Sequence, residues 1–333
     1  MSVARNREQL RGEVLRSVSR SFYLSLRVLP KPLRDPLSLA YLLARATDTI
    51  ADTPEPPLEV RKRGLVDLAG VIQGETEAGA VMRLAESFAP LQNDAAERNL
   101  IRQLPALLEW LEHLPPGDKE EVRNVLAKIN RGQALDLERF GGAAETRALA
   151  NAAELDEYTY LVAGCVGEFW TRICFAHLKN FSDRPEAEMS ILGVRYGQGL
   201  QLINILRDVG DDLRHGRCYL PADQLHSLGL TPAEIIHDST RVEPILNKWR
   251  QKASDGIEAG VEYASTIRSR RVRFATALPA LIGARTLALL REAGPESLTR
   301  RVKVSRAEVR KTIMSTAFAS PRSLRSSFEK LLG

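Results

Sequence analysis

Hydrophobic positions along the 333-residue chain recur at three- and four-residue spacing, the period of helices that bury one stripe. Such patterns run from about Pro36 to Ala51, Leu58 to Gln73, Ala95 to His113, Lys119 to Phe140, Asp156 to His177 and Glu186 to Arg214. Two more lie near Pro244 to Arg268 and Arg271 to Ala293. Asp35-Pro36 reads as an N-cap followed by proline at the first helical position, and the proline-rich run 53–57 stops the helix that follows. Pro115-Pro116-Gly117, Gly141-Gly142 and Gly229 mark loops. No alternating apolar-polar run bounded by turn residues suggests a strand, and no fixed-period repeat or long linker interrupts the series. The pattern predicts an all-α chain forming a single domain over 1–333.

Two of these helices are apolar around most of their girth and carry one polar seam. In the first, Tyr41, Arg45, Asp48 and Asp52 share a face among Leu42, Leu43, Ala46 and Ile50. In the second, Gln201, Asn204, Asp208, Asp211 and Asp212 share a face among Leu202, Ile203, Ile205, Leu206 and Val209. Either stripe alone reads equally well as the solvated side of an amphipathic helix. Two stripes built on D-x-x-x-D shift the balance, because burying several carboxylates costs several kcal/mol each unless a cation, an arginine or a wet cavity compensates. Facing pairs could hold Mg²⁺ through few protein oxygens and leave coordination positions for water and diphosphate.

Charge and composition narrow the classes. A net charge of +5 suits an anionic ligand or an acidic membrane surface. With no zinc-finger spacing, RRM signature or sustained basic run, nucleic acid is not expected as a partner. Cys165, Cys174 and Cys218 form neither a C-x-x-C nor an even set, so no disulfide framework is suggested and a reducing compartment is the simple reading. The stretch Met1 to Leu10 lacks a signal-peptide core, and nowhere do about 18 uncharged apolar residues run together to span a bilayer.

Four motifs in order resemble the squalene and phytoene synthase family of head-to-head prenyl transferases. Ser19-Arg20-Ser21-Phe22 is similar to its S-[KR]-S-F segment, and Asp48-Thr-Ile-Ala-Asp52 to its first aspartate motif. The run from Tyr158 through Val162, Ala163 and Gly164 to Gly167 resembles its Y-C-x-x-V-A-G-x-V-G. Asn204 to Asp212, continuing through Arg217 and Tyr219 to Pro221, resembles its second aspartate motif. The resemblance implies an isoprenoid-synthase-type helical bundle with a central cavity, a core over about 17–290 and a C-terminal helical extension over 291–333. It implies Mg²⁺ and diphosphate at Asp48, Asp52, Asp208 and Asp212, which with Tyr158 form the catalytic set. Diphosphate oxygens would meet Arg45, Arg207 and Arg217. Ser19, Arg20, Tyr41, Gln201, Asn204 and Tyr219 would line the same pocket, and Phe22 and Val162 would shape its apolar walls. Tyr158 could relay a proton or stabilise a carbocation with its ring; as residues alone, it reads equally as a core tyrosine.

The implied substrate is farnesyl diphosphate, two molecules per turnover, and squalene synthases add a reduction by NADPH. Val302-Lys303-Val304-Ser305-Arg306 resembles the basic segment they place near that cofactor, so Lys303 and Arg306 are candidate cofactor contacts. Gly193-Val-Arg-Tyr-Gly197-Gln-Gly199 has the wrong spacing for a Rossmann fingerprint. Ala51 and Tyr160 stand where many squalene synthases carry Glu and His, so dehydrosqualene, phytoene or hydroxysqualene made without NADPH is the alternative. A non-catalytic assembly module of the same fold is a further rival, as is a ferritin-like bundle, for which only one Glu-x-x-His, Glu234 to His237, is present. The expected setting is a cytoplasmic enzyme, with a monomer favoured, lying peripherally at the inner face of a membrane. The basic surface or the end segment 321–332, with Leu324, Phe328 and Leu331 near helical spacing, would make that contact.

Overall fold

In a computed structural model, residues 3–19, 22–77, 79–142 and 145–333 are described, with the side chains of 3–5 left aside. Arg20 therefore lies outside the described residues. The chain divides into two compact units, 1–141 with 172–177, and 142–171 with 178–333.

In the first unit, α1 (Val3–Gln9), a π-helical turn (Leu10–Val14), α2 (Leu15–Ser19) and α3 (Phe22–Val28) precede the long α4 (Lys31–Asp52). The Asp35-Pro36 pair expected to open that helix does not. Pro30 is the N-cap residue and Pro36 sits inside, one turn further on, where its missing N–H forfeits a single ladder bond. Asp35 accepts a hydrogen bond from Arg11 at 2.8 Å instead of capping. α5 (Leu58–Gln73) follows as the periodicity predicts, then α6 (Gly79–Phe88). The single helix expected over 95–113 is two, α7 (Ala95–Arg102) and α8 (Leu104–Glu112), broken at Gln103. Pro105 has no N–H to continue the first, and serves as an early residue of the second. α9 (Pro116–Phe140) packs on α4 and α5, burying Leu126, Leu137 and Phe140 with Leu43, Ile50, Leu65 and Leu68.

The second unit contains a strand pair that the hydrophobic pattern did not predict. β1 (Arg147–Leu149) pairs in parallel with β2 (Arg217–Pro221), strands too short to leave an alternating pattern. The helix expected over 156–177 starts earlier, as α10 (Ala152–Thr159), because Asn151 caps it by accepting from the Glu154 N–H at 3.1 Å. It then widens into a π-helical turn (Tyr160–Gly164) before α11 (Cys165–His177), whose last turn, 172–177, belongs to the first unit. α12 (Glu186–Arg214) matches its predicted limits. α13 (Ala222–Ser227), α14 (Ser239–Thr266), α15 (Arg270–Ala293), α16 (Arg306–Ala317) and α17 (Pro321–Leu332) complete the unit. α16 carries a capping box, Ser305 with Glu308, that the sequence displays as S-x-x-E.

α12 is the axis of this unit, packing on α14, α15 and the π-helical turn. Its glycines, unfit for a nucleotide fingerprint, allow backbones to touch. A Cβ on Gly167 would lie 2.0 Å from the Gly193 carbonyl oxygen, and one on Gly199 would lie 2.8 Å from Gly256 Cα. Glu234 of the Glu-x-x-His serves another purpose: its carboxylate accepts from Thr231 N and Oγ1, at 2.8 and 2.7 Å, in a capping box. The end helix α17 buries Leu324 and Phe328, with α14 and α15 as its packing neighbours, so its apolar side covers the body of the unit. The stretch Arg270–Leu298 is apolar enough to cross a membrane by composition, yet 67% of its most apolar window is buried, as in a core helix.

In an open helix, Gly→Ala stabilises by about 1 kcal/mol. At Gly199 the added methyl meets Gly256 backbone, so Gly199→Ala should destabilise by about 1–3 kcal/mol. Gly12→Ala, where nothing lies within 4 Å of the new Cβ, should be neutral or stabilising. Urea-unfolding midpoints compare the two.

Candidate active site

The first group of candidates lies in the first unit. Leu42, Leu43, Ala46 and Ile50 bury the body of α4, so Tyr41, Arg45 and Asp48 are left half-buried and Asp52 exposed at its end. Arg45 donates from Nη1 to Asp48 Oδ2 and from Nη2 to Glu97 Oε1, in two close ion pairs. Gln133 Nε2 donates to the other oxygen of Asp48, at 3.2 Å. Burial first, and Asp52 second, push the Asp48 carboxyl up to about 6, against the pull of Arg45. The guanidinium is divided between two carboxylates and leaves Asp48 short of positive charge.

Ser19, Phe22 and Tyr41 meet beside this seam. The Phe22 and Tyr41 rings are 5.3 Å apart, and the Tyr41 hydroxyl donates to the Val18 carbonyl at 3.3 Å. Ser19 is buried and donates to the Leu15 carbonyl. On α9, one turn before Gln133, Asn130 is 6% exposed with neither amide atom partnered. α4 and α9 run in the same direction, since Gly141 at the end of α9 abuts Leu58 just beyond α4. With Gln133 opposite Asp48, that direction sets Asn130 level with Arg45, whose Nε also lacks a partner. A buried polar group left unpaired costs about 1–3 kcal/mol. Each of these atoms keeps hydrogen-bonding capacity that the described residues do not use.

The second group lies in the second unit. Arg207 grips Asp208 with two parallel hydrogen bonds, Nε to Oδ1 at 2.9 Å and Nη2 to Oδ2 at 2.5 Å. That grip, Asp208 first, raises the Arg207 pKa, with Asp212 adding to it. Asn204 donates to Gln201 at 3.4 Å. The buried rings of Tyr158 and Tyr219 stack with centroids 5.0 Å apart and their hydroxyls 3.5 Å apart. Val162 is half-buried in the π-helical turn, and Arg217 opens β2. Between the aspartates, Gly210 presses on the turn 294–298, where a Cβ would come within 1.8 Å of the Leu298 carbonyl oxygen. Buried Arg250 holds that turn, donating to Gly294 O and Ser297 Oγ at 3.3 Å each while paired with Glu243 at 2.6 Å. Lys303 and Arg306 stand apart from this cluster in chain position. Both are exposed, beside buried Val302 and Val304.

Sequence reasoning missed Glu97, Gln133 and Asn130. Glu97 was hidden in the first turn of α7 as an ordinary helix-start acid, and Gln133 and Asn130 belong to none of the motifs on α9. An amide facing a stripe of Leu and Ile was the available signal.

The oxygen-rich donor set fits Mg²⁺: Asp48 and Asp52 lie one turn apart, and burial and like charge leave Asp48 under-neutralised. Among the described residues, no three His, Cys, Asp or Glu side chains gather into a cage. An ion there would take most of its ligands from water or substrate.

The squalene/phytoene synthase profile matches residues 15–308. The presqualene diphosphate synthase of Rhodopseudomonas palustris is 30% identical over 215 residues, 64% of this chain and 62% of that one. A bifunctional lycopene cyclase/phytoene synthase of Phaeosphaeria nodorum is 28% identical over 256 residues, 74% of this chain and 40% of that one. The chain thus spans less than two thirds of either relative. The backbone matches TcSQS in complex with the ligand BPH1237 at a TM-score of 0.80, over 98% of this chain and 90% of that one, with 20% identity, which shows the fold.

Asp48 binds its proton more tightly folded than unfolded, since about 6 lies above the ordinary carboxylate value near 4. Its contribution to stability is therefore gained as pH falls through 6 toward 4, and lost as pH rises through 6. In metal-free protein, Asp48→Asn should be as stable as wild type or more so at pH 7.5, and lose that advantage at pH 5. Mg²⁺ should raise the wild-type thermal midpoint at pH 7.5 and leave that of Asp48→Asn nearly unmoved. Calorimetry at the two pH values reads both effects.

Proposed function

The chain belongs to the squalene/phytoene synthase family, and from that premise we propose that it condenses two farnesyl diphosphates head to head and reduces the product with NADPH to squalene. The observation that carries the reading is the half-buried Asp48, crowded by Asp52 and incompletely balanced by Arg45. A protein that used this seam only for solubility would not bury it.

Asp48 and Asp52 in the first unit, and Asp208 and Asp212 in the second, are the carboxylates that would hold magnesium and the diphosphates. Magnesium, when bound, supplies the positive charge that draws electrons from a departing diphosphate. Arg45, Arg207 and Arg217 hold diphosphate oxygens through the planar guanidinium fork. Ser19 and Tyr41 in the first unit, and Gln201 and Asn204 in the second, would offer further polar groups to the diphosphates. Gln133 fixes one Asp48 oxygen and so orients the carboxylate.

The allylic C–O bond of one farnesyl diphosphate ionises, leaving diphosphate and an allylic cation. The double bond of the second attacks that cation, and loss of a proton closes a cyclopropane that keeps its own diphosphate. Tyr158 offers that proton a route through its hydroxyl, and its ring, stacked on Tyr219, stabilises the positive charge. Phe22 and Val162 exclude water, which would quench the cation. Ionisation of the second diphosphate and rearrangement then give a cation that accepts hydride. NADPH, when bound, would supply that hydride, and exposed Lys303 and Arg306 would be available to hold its phosphates.

Ala51 and Tyr160 favour a second reading, in which the chain stops without reduction at dehydrosqualene or, if it takes the longer homologue geranylgeranyl diphosphate, at phytoene. Both products are apolar hydrocarbons that partition into lipid, in keeping with an enzyme that works peripherally at a membrane; on this reading it is a monomer at the cytoplasmic face.

Incubation with farnesyl or geranylgeranyl diphosphate and Mg²⁺, with and without NADPH, followed by mass spectrometry, separates these readings. Squalene only with NADPH is the expected result. Dehydrosqualene or phytoene regardless of NADPH selects the second reading, and no consumption of any prenyl diphosphate refutes both. Asp48→Asn and Asp208→Asn should each lower turnover by about 100-fold or more, with unchanged far-ultraviolet circular dichroism.

A further inference from the structure

Helix α16 has two unlike sides. Thr312 and Thr316 are buried, and Glu308 is held by Arg285 at 2.8 Å, so this side is spent on packing. The opposite side carries Arg310, Met314 and Phe318 at four-residue spacing, with Lys311 beside them. Met314 is 64% exposed and Phe318 77%, the two highest values among the exposed large hydrophobic side chains of the described residues. They lie one helical turn apart and form a single apolar tip.

Charge flanks that tip on its own helix. Arg310 and Lys311, about two turns before Phe318, are both exposed, and among the described residues neither joins an ion pair. Between 300 and 322 the sole acid is Glu308, already engaged by Arg285 and Ser305. An exposed phenylalanine and methionine beside unpaired cations complement a surface that is anionic outside and apolar a few ångströms deeper. The same tip set against water alone has no favourable use.

We propose that the outward face of α16, with Phe318 and Met314 as its wedge and Arg310 and Lys311 as its charged collar, docks the protein on an anionic lipid bilayer. This names the surface for the peripheral position in the proposed function, and assigns it to α16 instead of the end helix α17, whose apolar residues are covered. It rests on that reading only for its purpose, delivery of a hydrocarbon product to lipid; the binding itself stands on the surface.

The test uses the full chain and vesicles of 3:1 phosphatidylethanolamine:phosphatidylglycerol, with phosphatidylcholine vesicles as the neutral control, scored by co-sedimentation. Wild type should bind the anionic vesicles, and binding should weaken as salt rises. Arg310→Glu with Lys311→Glu should lower binding about tenfold or more. Phe318→Ser with Met314→Ser should lower it comparably at low salt, while consumption of micellar farnesyl diphosphate stays at wild-type level.

Four results would overturn the proposal: no binding of wild type to anionic vesicles, equal binding to neutral ones, full binding by the serine pair, or a change of molar mass by light scattering in that pair. The last would identify a second copy of the chain as the occupant. Vesicle binding without prenyl diphosphate consumption would sink the enzymatic reading and leave the docking surface standing; turnover without vesicle binding would do the reverse.

Discussion

Backbone touching backbone is the constraint on which the second unit depends. α12 approaches its neighbours at Gly193, Gly199 and Gly210, and at each a single methyl group would collide with main-chain atoms. Main chain cannot move aside as a flexible side chain can, so these contacts fix the height and rotation of the helix together. Asp208, Asp211 and Asp212 flank one of the three. Their direction is therefore set by packing well before any ligand arrives. Arg250 extends the constraint, holding the turn 294–298 against Gly210 from within the core.

The first unit orders its carboxylates by another route. No comparable glycine contact pins α4; Asp48 is held by side chains, Arg45 on one oxygen and Gln133 on the other. Arg45 is itself divided with Glu97. The arrangement leaves a carboxylate whose proton affinity is raised by burial and like charge. Such a site is less stable than an apolar one would be. It is also preorganised for a cation, because the desolvation has been imposed by folding and need not be repeated on binding.

How much of this was legible depended on what each element relies upon. α5 and α12 follow their predicted limits because one uninterrupted apolar stripe defines each. The N-terminus of α4 was misread because Pro36, which would cost nothing in a first turn, sits in the second at the loss of one ladder bond, and Asp35 is engaged by Arg11. The break at Gln103 needed Pro105 to outweigh an unbroken apolar rhythm. The π-helical turn at Tyr160–Gly164 and the parallel β1–β2 pair leave no pattern, since both arise from tertiary packing. For the site, spacing revealed the seams on α4 and α12. It could not reveal Glu97 or Gln133, whose relevance comes from which helix they face. The stack of Tyr158 on Tyr219 joins residues 61 positions apart, beyond the reach of any local pattern.

The two routes differ in what a substitution can change. Replacing Gln133 or Glu97 redistributes charge around Asp48 and leaves the fold intact, so the first carboxylate pair can be tuned by single side chains. Replacing Gly199 or Gly210 moves a helix, and with it every polar residue that helix carries. Asn130 belongs with the tunable group: its amide has no partner within the protein, so its exchange costs the fold little and alters only what it can offer a guest. Variation in what the site accepts should therefore be concentrated on α9 and α7, opposite α4, while α12 carries the part of the chemistry that cannot be adjusted without rebuilding the unit.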